Sequence, residues 1–187
     1  MRLYGHDGAR LYINEVERRR FLATARALPA PQRCLCLILA MTGCRLSEAL
    51  ELTGRSVQHE PATIAIRSLK KRRSDHMREL PVPKWLINQI IADHADAFAV
   101  DSSSRPLFSM SRSTAWRYVK QVMACSHIRG SQATAKGLRH GFGVHALQAG
   151  VPLNLLQKWL GHTDIAITAI YGNAVGPEER TIAQRMW

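Results

Sequence analysis

The feature that most restricts the fold is the run CLCLILAM, residues 34–41, in which eight successive residues are apolar. The run is too short to cross a bilayer, which takes about 20 apolar residues in a helix. It is also too continuous for a strand with one face in water. We therefore predict a buried helix, a break at Thr42-Gly43, and a second short helix over the spaced residues Leu46 and Leu50.

The segments around this run predict a mainly α-helical (α+β) domain with a small antiparallel sheet. Residues 1–13 are predicted to form an extended N-terminal arm, and residues 14–187 one domain. Asn14 can cap a helix. Alternation at 64–66 and 80–82 predicts two strands joined by a basic loop. Helical spacing is found at 84–99, 112–128, 137–149, 153–160 and 164–171, and Gly176-Pro177 opens a last helix.

The charge balance narrows the classes of partner. Lys and Arg number 26 against 14 Asp and Glu, a formal net charge of +12. Such a charge favours nucleic acid or an anionic membrane, and the chain lacks the basic amphipathic helix with exposed aromatics that a membrane surface would require. The four cysteines have no CxxC spacing, so we expect neither a disulfide nor a zinc site.

Four short stretches place polar side chains in apolar surroundings. TGCRLSE puts Arg45 and Glu48 on one helix face, where an ordinary surface ion pair is the alternative interpretation. SLKKRRSDHMR is a cationic hairpin, which alone predicts only a solvated or phosphate-binding tip. KGLRHGFGVHAL groups Lys136, Arg139 and His140 before an apolar helix. LGHTDIAITAIYG places Tyr171 nine residues after His162, although a lone tyrosine at helical spacing is usually a core residue.

Together these residue types can transfer a phosphoryl group without a metal. Two guanidinium forks can bind the non-bridging oxygens of a phosphodiester. A lysine can protonate the leaving oxygen, and a tyrosine can form a covalent phosphoester. No cluster of Asp and Glu suggests a two-metal site, so we expect no metal and no other cofactor.

The order of these pieces from about residue 10 onward resembles the catalytic domain of tyrosine recombinases, the phage integrase family. The resemblance implies that Arg45 and Arg139 clamp the scissile phosphate and that His162 also binds it. Glu48 would support the first arginine. Lys70, with Lys71 as the alternative, would protonate the 5′-oxygen. Tyr171 would be the nucleophile, forming a 3′-phosphotyrosine intermediate.

Two features depart from the family pattern. Lys136 stands where a histidine is usual, three residues before the second arginine, and a lysine is a poor general base near neutral pH. For His140 we favour a packing or hydrogen-bonding role. The chain also resembles the short relatives without an N-terminal DNA-binding domain, so we expect its own basic surface to bind DNA. The candidate residues are Arg67, Lys71, Arg72, Arg73, Arg78, Arg112, Arg117 and Lys120.

The resemblance implies a site-specific recombinase or integrase of the bacterial cytoplasm that acts on double-stranded DNA, associated with mobile elements. It also implies a homotetramer on DNA, in which the C-terminal segment after Tyr171 packs on a neighbouring subunit or on its own core. The main alternative is a DNA-binding regulator or truncated integrase with the same fold and little strand exchange. A metal-dependent nuclease is the second alternative.

Overall fold

The computed structural model describes residues 2–68, 77–99, 103–174, 179–180 and 183–186 of the 187-residue chain. Within them the α-helices are α1 (Glu15–Arg26), α2 (Ala30–Thr42), α3 (Leu46–Leu50), α4 (Lys84–Asp93), α5 (Arg112–Cys125), α6 (Ala135–Gln148), α7 (Leu153–Leu160) and α8 (Ile165–Ala169). The strands are β1 (Val57–Gln58), β2 (Thr63–Arg67) and β3 (Met77–Pro81). Turns of 3-10 helix cover Gly54–Ser56, Ala95–Phe98 and Ile170–Asn173. The predicted fold class is confirmed.

The apolar run becomes the centre of the molecule. Every residue from Cys34 to Ala40 is buried, and α2 packs against α1, α4, α5 and α6. Gly43 ends the helix in the left-handed conformation, with φ +61°, and its N–H donates to the Leu39 carbonyl. Glycine adopts this conformation at little cost. The predicted buried helix, its break and the short helix α3 are all confirmed.

The start of α1 agrees with our prediction, but the arm before it does not. Asn14 and Glu17 form the capping box at the start of α1, as predicted for Asn14. The preceding arm is not extended, because Tyr4 and Arg10 pair as a β-bridge and the chain folds back. Leu3 and Tyr12 are consequently buried against the domain. Apolar side chains at these two positions account for the difference from our prediction.

A three-stranded antiparallel sheet flanks α3 and α7, with the order β1-β2-β3. The two predicted strands pair with Ile64 opposite Leu80 and Ile66 opposite Arg78. β1 is only two residues long and gave no alternation to detect. The loop that joins β2 to β3 lies outside the described residues, and with it the candidates Lys70, Lys71, Arg72 and Arg73.

The C-terminal helices follow the predicted spacing closely, and α7 has the predicted bounds. α4 is shorter than expected because His94 leaves the helical conformation. α6, α7 and the segment after α8 share a second small core around Val144, Leu156 and Leu160. Gly176-Pro177 lies outside the described residues. Among the helices described, none is both long and apolar enough to cross a membrane.

Candidate active site

A cavity of about 890 Å³, here called the basic cavity, opens between α3, α5, the start of α6 and the α7–α8 connection. No described residue that lines it is Asp or Glu. Five lining residues are basic, namely Arg45, Arg112, Lys136, Arg139 and Lys158. A concave surface with charges of one sign concentrates ions of the opposite sign. The basic cavity is therefore suited to an anion.

Arg45 is held from behind by a buried carboxylate. Its Nη1 donates to Glu48 Oε1 at 2.6 Å, and its backbone N–H donates to Glu48 Oε2 at 2.9 Å. Burial opposes ionisation of Glu48, but the charge of Arg78 and the hydrogen bonds from Arg45 and Arg78 outweigh it and lower the pKa. Glu48 is thus a buried carboxylate that positions Arg45, and the Arg45–Glu48 pair is not the surface ion pair of the alternative interpretation.

Arg139 lies on α6 and is anchored by two backbone carbonyls. Nη1 donates to the Gly43 carbonyl and Nη2 to the Leu160 carbonyl, both at 2.8 Å. Burial, reinforced by the nearby charge of Arg45, lowers the pKa of Arg139 to about 10. The guanidinium therefore stays charged at neutral pH. These contacts fix it at the cavity wall between the α2–α3 turn and the end of α7.

His162 follows the left-handed residue Gly161 that ends α7. Its Nδ1 is 2.9 Å from the buried hydroxyl of Thr168, which leaves Nε2 as the ring nitrogen available to a bound group. Burial, followed by the positive charges of Arg139 and Arg45, lowers the pKa of His162 to about 3. The imidazole is therefore neutral at neutral pH, and its N–H can act as a hydrogen-bond donor.

Tyr171 packs against His162 and does not reach the cavity surface. Its ring stacks on His162 with centroids 6.3 Å apart and meets His140 at 5.9 Å. The residue is 2% exposed, and its hydroxyl has no hydrogen-bond partner among the described residues. Burial raises the pKa of Tyr171 to about 12, although the charges of Arg139 and Arg45 oppose the shift. The phenol is next to the basic cavity but does not line it.

The two other candidate residues on α6 lie in different surroundings. Lys136 is exposed at the first turn and lines the basic cavity. His140 is fully buried, and neither ring nitrogen has a hydrogen-bond partner in the described part of the chain. Burial, followed by the charge of Lys136, lowers the pKa of His140 to about 4. Packing against Tyr171 is the role that the geometry supports for His140.

The predicted DNA-binding residues separate into groups. Arg112 lines the basic cavity, and Arg117 is exposed on the same helix. Lys120 donates to the Ala133 carbonyl at 3.0 Å, and Arg67 is exposed at the end of β2. The prediction for Arg78 needs correction: its guanidinium is buried and donates to protein groups, so it is not part of a DNA-binding surface here.

Sequence reasoning missed several residues of this region. Asn154, Gln157 and Lys158 line the cavity from one face of α7, and their spacing of three and four was the available signal. Trp116 lines it from α5 and is 50% exposed, four residues after Arg112. For Thr168, no pattern in the sequence indicated a contact with His162. No group of three or more His, Cys, Asp or Glu side chains is arranged for a metal among the described residues.

Comparison with known proteins decides the family. The model of the phage integrase family matches residues 10–175, which is most of the chain and includes the whole described cavity. The chain belongs to the phage integrase family. The resemblance inferred from the sequence motifs is thereby confirmed.

The relatives of this integrase-family chain include tyrosine recombinases of archaea and bacteria. It is 26% identical over 159 residues to tyrosine recombinase XerA of Pyrococcus furiosus, covering 82% of this chain and 54% of the relative. It is 28% identical over 156 residues to tyrosine recombinase XerD of Yersinia pestis, covering 79% and 51%. The chain therefore spans about half the length of the curated relatives it matches.

Solved structures of the family share its fold. A crystal structure of XerA recombinase superposes with a TM-score of 0.79 at 24% identity, covering 94% of this chain and 64% of that one. XerH recombinase bound to its difH substrate before cleavage gives 0.76 at 20% identity, with 98% and 59% covered. The catalytic domain of bacteriophage HP1 integrase gives 0.64 at 22% identity, with 92% and 93% covered.

Gly143 makes room for the tyrosine, and alanine there should disturb it. An added Cβ would lie 2.6 Å from two atoms of the Tyr171 ring. Alanine usually stabilises a helix interior by about 0.5–1 kcal/mol relative to glycine, but we expect Gly143→Ala to destabilise the fold by about 1–3 kcal/mol through overpacking. Urea unfolding measures the change. Gly172→Ala is the control because its added Cβ meets nothing within 4 Å. Equal stability of Gly143→Ala and wild type would contradict the packing.

The buried histidines should make stability fall in mild acid. The folded-state pKa of His140, about 4, lies below its ordinary value of 6.5. The unfolded chain therefore takes up this proton first as pH falls, and the free energy of unfolding decreases from about pH 6.5 downwards. The lowered pKa of Glu48 adds its own loss only below its ordinary value of 4.5. Between pH 6.5 and 4.5, the change in stability therefore reports on the buried histidines and not on Glu48.

We expect His140→Leu to make the fall in stability between pH 6.5 and 4.5 shallower, with His162 contributing to the slope that remains, as measured by urea unfolding at each pH. His59→Gln replaces an exposed histidine and is the matched control, which should keep the wild-type slope. Parallel curves for His140→Leu and wild type would show that His140 takes up its proton equally in both states.

Proposed function

We propose that this chain is a site-specific DNA recombinase that cuts and rejoins strands through a 3′-phosphotyrosine intermediate. One observation carries the proposal. Arg45, Arg139 and His162 line the same basic cavity, and the ring of Tyr171 stacks on that histidine. No other described cavity has this combination of anion-binding groups and a potential nucleophile.

The two arginines and His162 suit the electrostatics of a phosphodiester. Its two non-bridging oxygens share a negative charge that grows as a fifth oxygen approaches phosphorus. Arg45 and Arg139 are fixed by Glu48 and by backbone carbonyls, so they need little rearrangement when that charge develops. Nε2 of neutral His162 can add a further hydrogen bond.

The covalent step balances without a cofactor. The oxygen of Tyr171 attacks phosphorus and gives up its phenolic proton to solvent, while the 5′-oxygen takes up one proton as its bond to phosphorus breaks, so no net proton is released. The products are a 3′-phosphotyrosyl bond and a free 5′-hydroxyl. Attack by the 5′-hydroxyl of another strand reverses the step and releases the tyrosine. One phosphoester replaces another each time, so neither oxidant nor nucleotide is consumed.

Two lysines have separate proposed roles, one in proton transfer and one in phosphate binding. Lys70, with Lys71 as the alternative, is proposed from the family resemblance to protonate the 5′-oxygen, and both lie outside the described residues. Lys136 lines the basic cavity in the position where relatives usually carry histidine. We propose that it binds the phosphate, since a lysine is a poor general base near neutral pH.

The proposed partner is double-stranded DNA. Arg112 and Lys158 are exposed residues of the basic cavity, and we propose that Arg67, Arg117 and Lys120 bind flanking phosphates. Lys71, Arg72 and Arg73, which lie outside the described residues, are further candidates for such contacts. Such contacts position a protein on DNA with little sequence readout. XerH, a structural neighbour, is bound to its difH substrate. Assembly as a homotetramer on DNA and action in the bacterial cytoplasm are further parts of this proposal.

The nucleophile can be tested with a pool of nicked DNA duplexes that have a randomised centre. Wild-type protein should form an SDS-resistant adduct, because the nick lets the short cleaved fragment diffuse away. Tyr171→Phe removes only the phenol oxygen, so we expect no adduct and unchanged DNA retention in a mobility-shift assay. Peptide mapping of the adduct locates the link, and sequencing the captured DNA gives a defined duplex for later assays.

Tyr118→Phe is the matched control, because Tyr118 lies half-buried on α5 and does not line the cavity. It should form the adduct at the wild-type rate. An adduct of Tyr171→Phe, or one mapped to another residue, would refute the assignment.

The cavity rim predicts a salt-dependent affinity for DNA. If Arg112 and Lys158 each neutralise one phosphate, the double variant Arg112→Gln/Lys158→Gln should reduce the slope of log K against log salt by about 2. A fluorescence-anisotropy titration of the captured duplex at several salt concentrations measures the slope. Arg19→Gln is the control, because Arg19 pairs with Glu15 on α1 and does not line the cavity. An unchanged slope in the double variant would place the DNA elsewhere.

The main alternative, a regulator that binds DNA without efficient strand exchange, is not favoured by the family match or by the recombinase relatives. The adduct assay separates the two functions. Retention of duplex without any adduct from the wild-type chain would support the regulator. Cleavage that EDTA abolishes and that leaves free phosphate ends would instead support a metal-dependent nuclease.

A further inference from the structure

Arg78 is a buried cation that connects three parts of the molecule. It lies on β3 and is 2% exposed. Its Nε donates to the Trp159 carbonyl at 2.7 Å, Nη1 to Ser68 Oγ at 3.0 Å, and Nη2 to Glu48 Oε2 at 2.6 Å. Each nitrogen therefore holds a different segment: the end of α7, the residue after β2, and α3.

Two of these three acceptors support the groups of the basic cavity. Glu48 uses its other oxygen, Oε1, to hold the guanidinium of Arg45. Trp159 precedes Leu160, whose carbonyl holds Arg139, and the chain then turns through Gly161 into His162. Arg78 thus contacts the support of Arg45 on one side and the support of Arg139 and His162 on the other.

The end of α7 packs directly against the Arg78 guanidinium. A Cβ added to Gly161 would lie 3.1 Å from Arg78 Nη1 and 3.2 Å from Cζ, and Gly161 has φ +66°. Glycine is required here both for its backbone conformation and for this close approach. Arg78 therefore joins the two sides of the cavity, as Arg139 does through the Gly43 and Leu160 carbonyls.

We propose that Arg78 is a positioning residue, which sets the distance of Arg45 from Arg139 and His162 and thereby shapes the phosphate pocket. The role rests on the function proposed above, and it replaces the DNA contact that the sequence suggested for this arginine. Arg78 touches neither phosphate nor nucleophile in this role. Its effect reaches the reaction through Glu48 and the end of α7.

The chemistry of the guanidinium explains why another residue would not serve. A planar fork with five N–H donors can hold three acceptors that lie in different directions. A lysine offers three donors from one nitrogen and cannot span the same acceptors. A methionine fills similar space but leaves the Glu48 carboxylate with only the hydrogen bonds of Arg45.

The first test compares Arg78→Lys with wild type on the captured duplex. At saturating DNA, we expect single-turnover adduct formation to slow about 10- to 100-fold, since small misplacements of catalytic groups have effects of this size. The Kd for DNA should stay within about threefold, because Arg78 makes no contact with the duplex. Arg55→Lys is the control, an exposed arginine bonded to Ser103, and it should behave as wild type.

A second comparison separates positioning from charge compensation in folding. Arg78→Met/Glu48→Gln removes both buried charges, and we expect it to be at least as stable in urea as Glu48→Gln alone. Its adduct formation should nevertheless be about tenfold slower than that of Glu48→Gln, because the end of α7 has lost its contact with β3 and Ser68.

The outcomes distinguish the two proposals. Absence of an adduct from the wild-type chain would overturn the recombinase function and with it this role. A wild-type adduct, together with full-rate Arg78→Lys or with equal rates for Glu48→Gln and the double variant, would overturn the positioning role alone.

Discussion

The candidate site depends on buried guanidinium groups that are held by the carbonyl ends of helices. Arg139 donates to Gly43, just after α2, and to Leu160 at the end of α7, while Arg78 donates to Trp159 one residue earlier. The last carbonyls of a helix lack intrahelical partners and carry partial negative charge. These carbonyls can therefore stabilise a buried cation, whose burial would otherwise destabilise the fold by several kcal/mol. They also fix the width of the basic cavity.

The charges of the candidate site follow from this arrangement. The arginines keep their charge, whereas burial beside them lowers the pKa of His162 to about 3 and that of His140 to about 4. Burial keeps Tyr171 protonated, with its pKa raised to about 12. Positive charge is thus concentrated on groups fixed for an anion, while the groups nearest the proposed nucleophile are neutral. This is electrostatic preorganisation, in which donors are oriented before the charge that they stabilise develops.

Sequence patterns predicted the parts of this site that depend on local chemistry. Gly43 marked the end of α2, and the spacing of His162 and Tyr171, through the family resemblance, indicated the last segment of the candidate site. Arg78 was misplaced because a charged residue beside a basic loop suggests solvent. The strand alternation indicates that Arg78 is buried, since Arg78 and Leu80 are two residues apart and face the same buried side. The partners of Arg78 lie 10, 30 and 81 residues away, so no local pattern could identify them.

The burial of Tyr171 is a tertiary property with a consequence for the proposed reaction. The residue belongs to the small core that includes Leu3, Tyr12, Leu156 and Leu160. In the proposed reaction the phenol oxygen has to reach a phosphate in a cavity that Tyr171 does not line here, and full exposure of a large apolar side chain would cost about 1.5–3 kcal/mol. DNA can shift that equilibrium only by binding the displaced form more tightly, by about 10- to 150-fold. The interactions that position the tyrosine in the free protein therefore oppose the first chemical step, and contacts with the duplex have to supply the difference.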